Sequence, residues 1–273
     1  MVNTNFSSFF QESAIQRVFI YTGNATRDGV YYDGVEKIKA LFRELKCPWE
    51  IIEVTQEEFH PEQFVPKEAL FIVPGARASD LDDQIGGKIS GIREFVEDGG
   101  YYLGICGGAY WASKNVSYQL SRTETLEKIR DLAFFNGIVK GPLRFSKFGN
   151  DRPHGVANVK WRTLSFPFPA LIMGGGSFID AEQSEQCEVL AEYADVPEKL
   201  KNAIIKNYVG KGISILAGPH LEWQAQDVRV SDLELLFPGH KWTEIKNELE
   251  GTDTVRRHCF GALLAEFERR PNR

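Results

Sequence analysis

Residues 101–113 constrain the fold of this chain more than any other part of its sequence. They begin as an apolar run with strand character and end in small and aromatic residues that favour a helix start. Between these parts stands Cys106, with glycines at positions −2, +1 and +2 that avoid clashes in a sharp strand-to-helix turn. A thiol there faces a helix N-terminus, which favours the thiolate. The stretch predicts a nucleophile elbow, and a buried, inert cysteine beside a tight turn is the alternative.

Residues 212–223 supply a second signal, an apolar run that ends in Gly-Pro-His-Leu-Glu. Residues two apart in an extended segment point to the same side, so His220 and Glu222 can approach one site together. A cysteine nucleophile needs a base, and the base needs an orienting acceptor. The pattern therefore predicts a triad of Cys106, His220 and Glu222. Taken singly, His220 fits a surface histidine and Glu222 a solvated charge.

The composition excludes several classes of function. The 273 residues are 42% hydrophobic, enough for a sizeable core in one large α/β domain or two small ones. The net charge of −6 argues against nucleic acid or an anionic membrane surface as the main partner. The four cysteines lie far apart, which disfavours disulfides and a zinc site. The sequence shows no signal-peptide pattern and no run long enough to span a membrane, so we expect a cytoplasmic protein. We also expect that it binds no metal and no cofactor.

Strand and helix patterns alternate in the first part of the chain, which predicts an α/β fold with a mostly parallel central sheet. The predicted strands cover residues 17–22, 49–54, 69–73 and 101–105, and the predicted helices cover residues 31–45 and 85–96. Sites in such sheets lie at the carboxyl ends of the strands. The residues predicted to converge at that edge are Gly23, Gly75, Cys106, Gly174 and His220.

The middle of the chain, about residues 114–168, is less regular and is interpreted as an insertion with short strands. The triple glycine Gly174-Gly175-Gly176 follows it, and this segment fits either an anion-binding nest or a tight turn. Further strands are predicted at 187–193 and 203–209, and a C-terminal helix from the apolar face of 255–267. We expect one domain, 1–273, with a core of about 17–225 and a helical extension of about 226–273.

The chain resembles the class I glutamine amidotransferase-like superfamily, which implies a flavodoxin-like, three-layer α/β sandwich. More narrowly, it looks like the domain found at the N-terminus of eukaryotic biotin-protein ligases and in some free-standing bacterial proteins. The resemblance covers most of residues 17–225. The segments that carry it include Gly104-x-Cys106-x-Gly108, His220-x-Glu222, Phe134-Phe135 and residues 173–178.

The resemblance implies that the Cys106 thiolate attacks a carboxamide, giving a thioester and releasing ammonia. His220 would shuttle the proton, and Glu222 would hold the tautomer of His220. Two backbone N–H groups are candidates for the oxyanion hole: that of Gly107, beside the nucleophile, and that of Gly75, carried mainly by the resemblance. Arg77 and the triple glycine are candidate substrate contacts, although for Arg77 a solvated loop position is the favoured alternative. The expected substrate is a small molecule, with an amide as first candidate, and an unknown protein partner is left open.

Two departures separate this sequence from ordinary glutaminases. Those proteins often have two glycines after the proline, whereas here Gly75 is followed by Ala76 and Arg77. The sequence also shows no second catalytic domain to use ammonia and no Gly-Arg-Gly-rich biotinyl-adenylate loop, so ligase activity is not expected. Two hypotheses remain: a cysteine-dependent amidase or amidotransferase-like hydrolase, and a non-catalytic ligand-binding or regulatory module on the same fold.

Overall fold

The computed structural model describes residues 10, 13–23, 30–145 and 152–269. The strands are β1 (Arg17–Tyr21), β2 (Glu50–Val54), β3 (Ala69–Val73), β4 (Tyr101–Ile105), β5 (Ser113–Gln119), β6 (Thr125–Ile129), β7 (Phe135–Gly141), β8 (His154–Trp161), β9 (Phe168–Met173), β10 (Ser177–Ile179), β11 (Cys187–Tyr193), β12 (Asn202–Val209) and β13 (Gly212–Ala217). The helices are α1 (Val30–Glu44), α2 (Ala78–Ile85), α3 (Ile89–Glu97), α4 (Gly107–Trp111), α5 (Val230–Leu236), α6 (Trp242–Leu249) and α7 (Asp253–Ala265).

The main sheet has nine strands in the order β2-β1-β3-β4-β13-β12-β11-β8-β9. The first five run parallel, as the alternation of strands and helices predicts. The other four are antiparallel to their neighbours. β12 and β13 are joined by a tight turn at Gly210, whose φ is +58°, and a connection this short permits only antiparallel pairing. The predicted α/β fold with its parallel core is therefore confirmed, and the antiparallel strands extend it.

Besides the β12–β13 pairing, an isolated bridge joins the far edge of the antiparallel half to the segment that follows the parallel strand β13. The His220 N–H donates to the carbonyl of Leu171 at 2.8 Å, which joins β9 to the segment that follows β13. β9 is the last strand in the order, so this bridge curls the sheet back on itself. The curl brings Met173, at the end of β9, toward the carboxyl ends of the parallel strands.

A second sheet has the order β10-β7-β5-β6. The middle region interpreted as an insertion with short strands contains β6 and β7 and most of β5, and it also contains β8, which belongs to the main sheet. β6 is exposed along its whole length, so its sequence lacks the apolar alternation that marks a half-buried strand. This exposure explains why the regularity of the region is hard to see in the sequence.

Helices cover both faces of the main sheet. Apolar residues of α1 and α7 pack on one face with Val18 and Leu70, and those of α2 and α3 pack on the other with Phe71 and Tyr102. This arrangement confirms the three-layer sandwich and the C-terminal helix. The single helix predicted at 85–96 is wrong in its bounds, because a 3₁₀ turn at Gly86–Lys88 separates α2 from α3. Among the described residues, every helix is too short or too polar to cross a membrane.

Candidate active site

Cys106 lies between β4 and α4 with φ +50° and ψ −104°. A positive φ is uncommon for a residue with a side chain, and holding such a conformation costs about 1–3 kcal/mol. The neighbouring glycines make the turn possible, because a Cβ on Gly107 would lie 1.8 Å from the Ala76 carbonyl oxygen. A Cβ on Gly108 would lie 2.2 Å from the carbonyl oxygen of Val73. The predicted strand–turn–helix is therefore present, packed backbone to backbone against β3 and its following loop.

One part of the elbow prediction needs correction. α4 has only five residues, from Gly107 to Trp111, and the chain then enters β5. A helix this short aligns few peptide dipoles, so its contribution to stabilising a thiolate at Cys106 is small. The Gly107 N–H, at the first position of α4, nevertheless has no intrahelical acceptor. The oxyanion role predicted for it therefore stays a prediction.

His220 and Glu222 form a buried pair. The Nδ1 of His220 and the Oε1 of Glu222 are 2.6 Å apart, and the two residues are only 2% and 1% exposed. Burial lowers the pKa of His220, but the Glu222 carboxylate and the interaction with Cys106 outweigh burial and raise the pKa to about 10. The burial of both residues excludes a surface histidine and a solvated charge.

The other nitrogen of His220 is available to the site. With Nδ1 on Glu222, Nε2 is buried and has no hydrogen-bond partner among the described residues. Cys106 lies close enough to raise the pKa of His220, although the pair falls outside hydrogen-bond geometry. The Cys106 thiol instead donates to the Met173 carbonyl, with Sγ and O 3.4 Å apart. A proton on Nε2 of His220 therefore has no competing acceptor within the described part of the chain.

A cleft with a volume of about 730 Å³ opens at this end of the sheet. The candidate site residues that line it are Gly75, Arg77, Cys106, Gly107, Gly174 and His220. Glu222, Gly175 and Gly176 do not line the cleft, and neither does Gly23, which lies two residues beyond the end of β1. Gly75 packs directly on His220, because a Cβ there would lie 2.7 Å from Cε1 of the imidazole.

The triple glycine serves close packing. The Gly174 N–H donates to the Pro153 carbonyl at 2.8 Å, so it is not presented to a bound anion. A Cβ on Gly175 would lie 2.1 Å from the carbonyl oxygen of Gly218, so this position tolerates only glycine. Of the two interpretations of the segment, the tight turn accounts for these contacts. Gly174 alone of the three remains a candidate substrate contact.

The apolar wall of the cleft was not predicted from the sequence. Val116, Tyr118 and Leu120 of β5 and the adjoining loop line the cleft together with Leu126 of β6. Their signal is present in the sequence as apolar or aromatic residues at every second position from 116 to 120, the period of one strand face. His154 of β8 also lines the cleft and was likewise missed. Within the described ranges, histidine, cysteine and carboxylate side chains form no cluster suited to a metal ion.

Comparison with known proteins agrees with this architecture. A family model described as "Biotin-protein ligase, N terminal" matches residues 16–272. An uncharacterized protein of Chlamydia muridarum is 34% identical over 199 residues, covering 72% of this chain and 75% of that protein. The biotin–protein ligase of Schizosaccharomyces pombe is 33% identical over 174 residues, which cover 60% of this chain but only 27% of the ligase.

Solved structures resemble the fold at low sequence identity. A glutamine amidotransferase from Thermotoga maritima has a TM-score of 0.57 at 16% identity, covering 92% of this chain and 97% of that one. A protein described as ThuA-like from Bacteroides uniformis has a TM-score of 0.52 at 11% identity, covering 92% and 90% of the two chains. At such identities the likeness establishes the fold alone.

Proposed function

Because the chain belongs to the biotin-protein ligase N-terminal domain family, on an amidotransferase-like fold, we propose that it is a cysteine-dependent amidase or amidotransferase-like hydrolase. One observation carries the proposal: a buried Glu222–His220 pair leaves one imidazole nitrogen available in the cleft that contains Cys106. A nucleophile, a base and an orienting acceptor are the parts of a cysteine triad.

In the proposed reaction, the Cys106 thiolate attacks the carbonyl carbon of an amide. His220 is protonated at neutral pH, since its pKa is raised to about 10, and it gives that proton to the leaving nitrogen. Ammonia or an amine departs and a thioester remains on Cys106. His220 then takes a proton from water, which attacks the thioester and releases the carboxylic acid.

Glu222 has two roles in this scheme. Its hydrogen bond to Nδ1 fixes the imidazole ring and leaves Nε2 for Cys106, and its negative charge stabilises the imidazolium. The negative charge that develops on the substrate oxygen would be bound by the N–H groups of Gly107 and Gly75. Arg77 lines the cleft beside Gly75 and is a candidate contact for a polar part of the substrate.

The lining of the cleft supports a small organic amide as substrate. The reacting groups lie beside an apolar wall that includes Val116, Leu120 and Leu126. Small-molecule sites commonly combine such walls with a few placed polar groups. We therefore propose an amide with an apolar arm that packs against β5 and β6.

A second candidate function is a ligand-binding or regulatory module that uses the same cleft without turnover. It is favoured by the match to only 27% of the Schizosaccharomyces pombe ligase, which places a domain of this kind within a larger protein. A binding module needs the cleft but does not need a reactive thiol. The two candidates therefore differ in whether Cys106 forms a covalent intermediate.

A hydrolysis screen on small amides and their matching esters separates the two candidates. The native protein should release acid and amine from at least one amide, and Cys106→Ala should not. Cys187→Ala serves as the matched control, because this partly buried cysteine lies outside the cleft, and it should retain the native rate. Binding of an amide with equal affinity to native protein and Cys106→Ala, without turnover by either, would instead support the binding module.

A further inference from the structure

We infer that His154 and His240 form a fixed hydrogen-bonded relay that presents an acceptor nitrogen of His154 to an N–H group of the substrate. The inference rests on the proposed function, since it concerns the substrate of the same cleft. It makes His154 a specificity-determining residue for amides over esters.

The relay consists of two hydrogen bonds. Nδ1 of His240 is 2.9 Å from the carbonyl oxygen of Phe237, and Nε2 of His240 is 2.7 Å from Nδ1 of His154. The His154 ring also packs against the rings of Phe237 and Trp242, with centroids 4.6 Å and 5.8 Å away. The relay is thus held by side-chain packing as well as by hydrogen bonds.

The Phe237 carbonyl sets the direction of the relay. A carbonyl oxygen can only accept, so Nδ1 of His240 must carry a hydrogen. In a neutral imidazole the other nitrogen is then an acceptor, so Nε2 of His240 accepts from Nδ1 of His154. Nδ1 of His154 is therefore protonated and Nε2 of His154 carries a lone pair. The Phe237 carbonyl thus sets the tautomer of His154 through His240, and that tautomer is the less usual one, with the proton on Nδ1.

Both histidines are neutral at physiological pH. Burial lowers the pKa of His154 to about 3, helped by repulsion from His240, His220 and Arg152. Burial likewise lowers the pKa of His240. The hydrogen bond to the Phe237 carbonyl raises this pKa and the charge of Arg152 lowers it, and the net shift is downward. Neutral rings are what the relay requires, because a doubly protonated His240 would reverse the hydrogen bond to His154.

The acceptor nitrogen lies on the cleft side of the relay. His154 lines the cleft with Cys106 and His220, whereas His240, which is bound to Nδ1, does not. Within the described part of the chain, Nε2 of His154 makes no hydrogen bond. His154 pairs with Met173 across β8 and β9, and the Met173 carbonyl lies 3.4 Å from Sγ of Cys106. A small substrate whose acyl group is held at Cys106 can therefore also contact His154.

The ligand chemistry follows from the lone pair. The nitrogen of an amide presents N–H donors, whereas the alkoxy oxygen of an ester presents none. An ester oxygen facing Nε2 would place two acceptors together and leave both unpaired, which is the means by which a polar site rejects an analogue. The relay therefore favours substrates with an N–H next to the reacting carbonyl.

Nitrogen NMR tests the relay itself. Protein labelled with ¹⁵N-histidine at pH 8 should show His154 protonated at Nδ1, with its signals identified by their loss in His154→Phe. In His240→Phe the acceptor is gone, and His154 should shift toward the tautomer protonated at Nε2. A merely structural role for His240 would leave this tautomer unchanged. Finding His154 protonated at Nε2 in the native protein would overturn the inference.

Alkylation of Cys106 by a matched pair of reagents tests recognition without a known substrate. Chloroacetamide carries the N–H donors and methyl chloroacetate lacks them, so the ratio of their rates at Cys106, divided by the ratio for free cysteine, measures selectivity for the amide. His154→Phe should lower this ratio about 2- to 10-fold, the range for one neutral hydrogen bond. His240→Phe should lower it in the same direction, and His60→Phe, which replaces an exposed histidine, should not.

The outcomes separate this inference from the proposed function. An unchanged ratio in His154→Phe, or failure of both reagents to reach Cys106, would overturn the role of His154. The expected tautomer and ratio without any amide turnover would instead contradict the hydrolase and keep His154 as a recognition residue of a binding module.

Discussion

The parallel half of the main sheet and the second sheet line the same cleft, but their cleft residues are held in different ways. At the end of β4 the backbone is locked, because the glycines beside Cys106 contact the carbonyls of β3 and its loop with no space for a side chain. On the second sheet, Leu120 and Leu126 are 51% and 43% exposed, and β6 pairs on one edge only. The cleft residues of the parallel half are fixed by backbone packing, whereas those of the second sheet are more open to substitution.

In the proposed enzyme, the parallel half therefore carries the chemistry and the second sheet carries the substrate selectivity. Reacting groups must be held in one geometry, and backbone contacts provide that rigidity. Wall residues contribute mainly apolar contact area, which tolerates substitution as long as volume is roughly kept. Changes in the parallel half should therefore stop the reaction, and changes in the second sheet should alter which substrate binds.

The largest effect is expected from Cys106→Ala, which removes the nucleophile. Turnover of any amide substrate should be abolished, because no other described group in the cleft can form the thioester. Steady-state hydrolysis measures this, and a thermal melt should confirm that the variant folds. Residual turnover near the native rate would contradict a covalent mechanism and would remove the chemical distinction between the two regions.

Glu222→Gln should slow turnover by about 10- to 1,000-fold while leaving the fold intact. The variant loses the charge that stabilises the imidazolium of His220 and can favour the wrong tautomer; the analogous change in a serine protease costs about 10⁴. A cysteine is intrinsically more nucleophilic, so the loss here should be smaller. Glu234→Gln, on an exposed carboxylate, is the control. Equal kcat in all three proteins would show that Glu222 is not coupled to the reaction.

Gly107→Ala should lower the free energy of unfolding by about 1–3 kcal/mol, because the new methyl group collides with the Ala76 carbonyl. Gly87 offers a matched control, since a Cβ there meets no described atom within 4 Å. Gly87→Ala should leave stability unchanged or slightly increase it. Denaturant titrations compare the two variants. Equal midpoints would mean that the elbow is less tightly packed than the structure indicates.

The smallest effect should come from the second sheet. Leu126→Ala removes part of the apolar wall and should raise KM for an amide with an apolar arm by about 2- to 10-fold, with kcat nearly unchanged. Ile129→Ala is the control, because this residue of the same strand is 74% exposed and lies outside the cleft. A fall in kcat comparable to that of Glu222→Gln would show that Leu126 affects the reaction itself and not only substrate binding.

The same contrast explains what could be predicted from the sequence. β3, β4 and the elbow were predicted because buried parallel strands are continuous apolar runs, and the glycines around Cys106 are dictated by local backbone geometry. His220 and Glu222 were predicted as a pair from i and i+2 spacing on an extended segment; they do pair, but β13 ends at Ala217 and Glu222 lies in a turn, so the geometric reason was wrong. His154 was not predicted, because its role depends on β8 pairing with β9 and on the distant Phe237 carbonyl. Such long-range pairings leave no local pattern.

The triple glycine shows a case in which the local sequence pattern is clear but its function is not. Its composition fits an anion nest as well as it fits a turn, and the two are distinguished by the Gly174 N–H, which donates to the Pro153 carbonyl, and by the Gly218 carbonyl packed against Gly175. The contact joins segments separated by β10 to β13 in the chain. Local sequence therefore identified a special backbone conformation there without identifying its purpose.

The most direct test of the central claim is the rate of alkylation of Cys106 by iodoacetamide against pH in native protein and Glu222→Gln, followed by mass spectrometry. Burial raises the pKa of Cys187 to about 12 and also raises the pKa of Cys47 and Cys259, so labelling at neutral pH should fall first on Cys106. If Glu222 supports the His220 imidazolium that pairs with the thiolate, native Cys106 reacts in the mildly acidic range and the profile of Glu222→Gln moves to higher pH. Superimposed profiles would contradict the triad and reduce it to a pair of Cys106 and His220 at most.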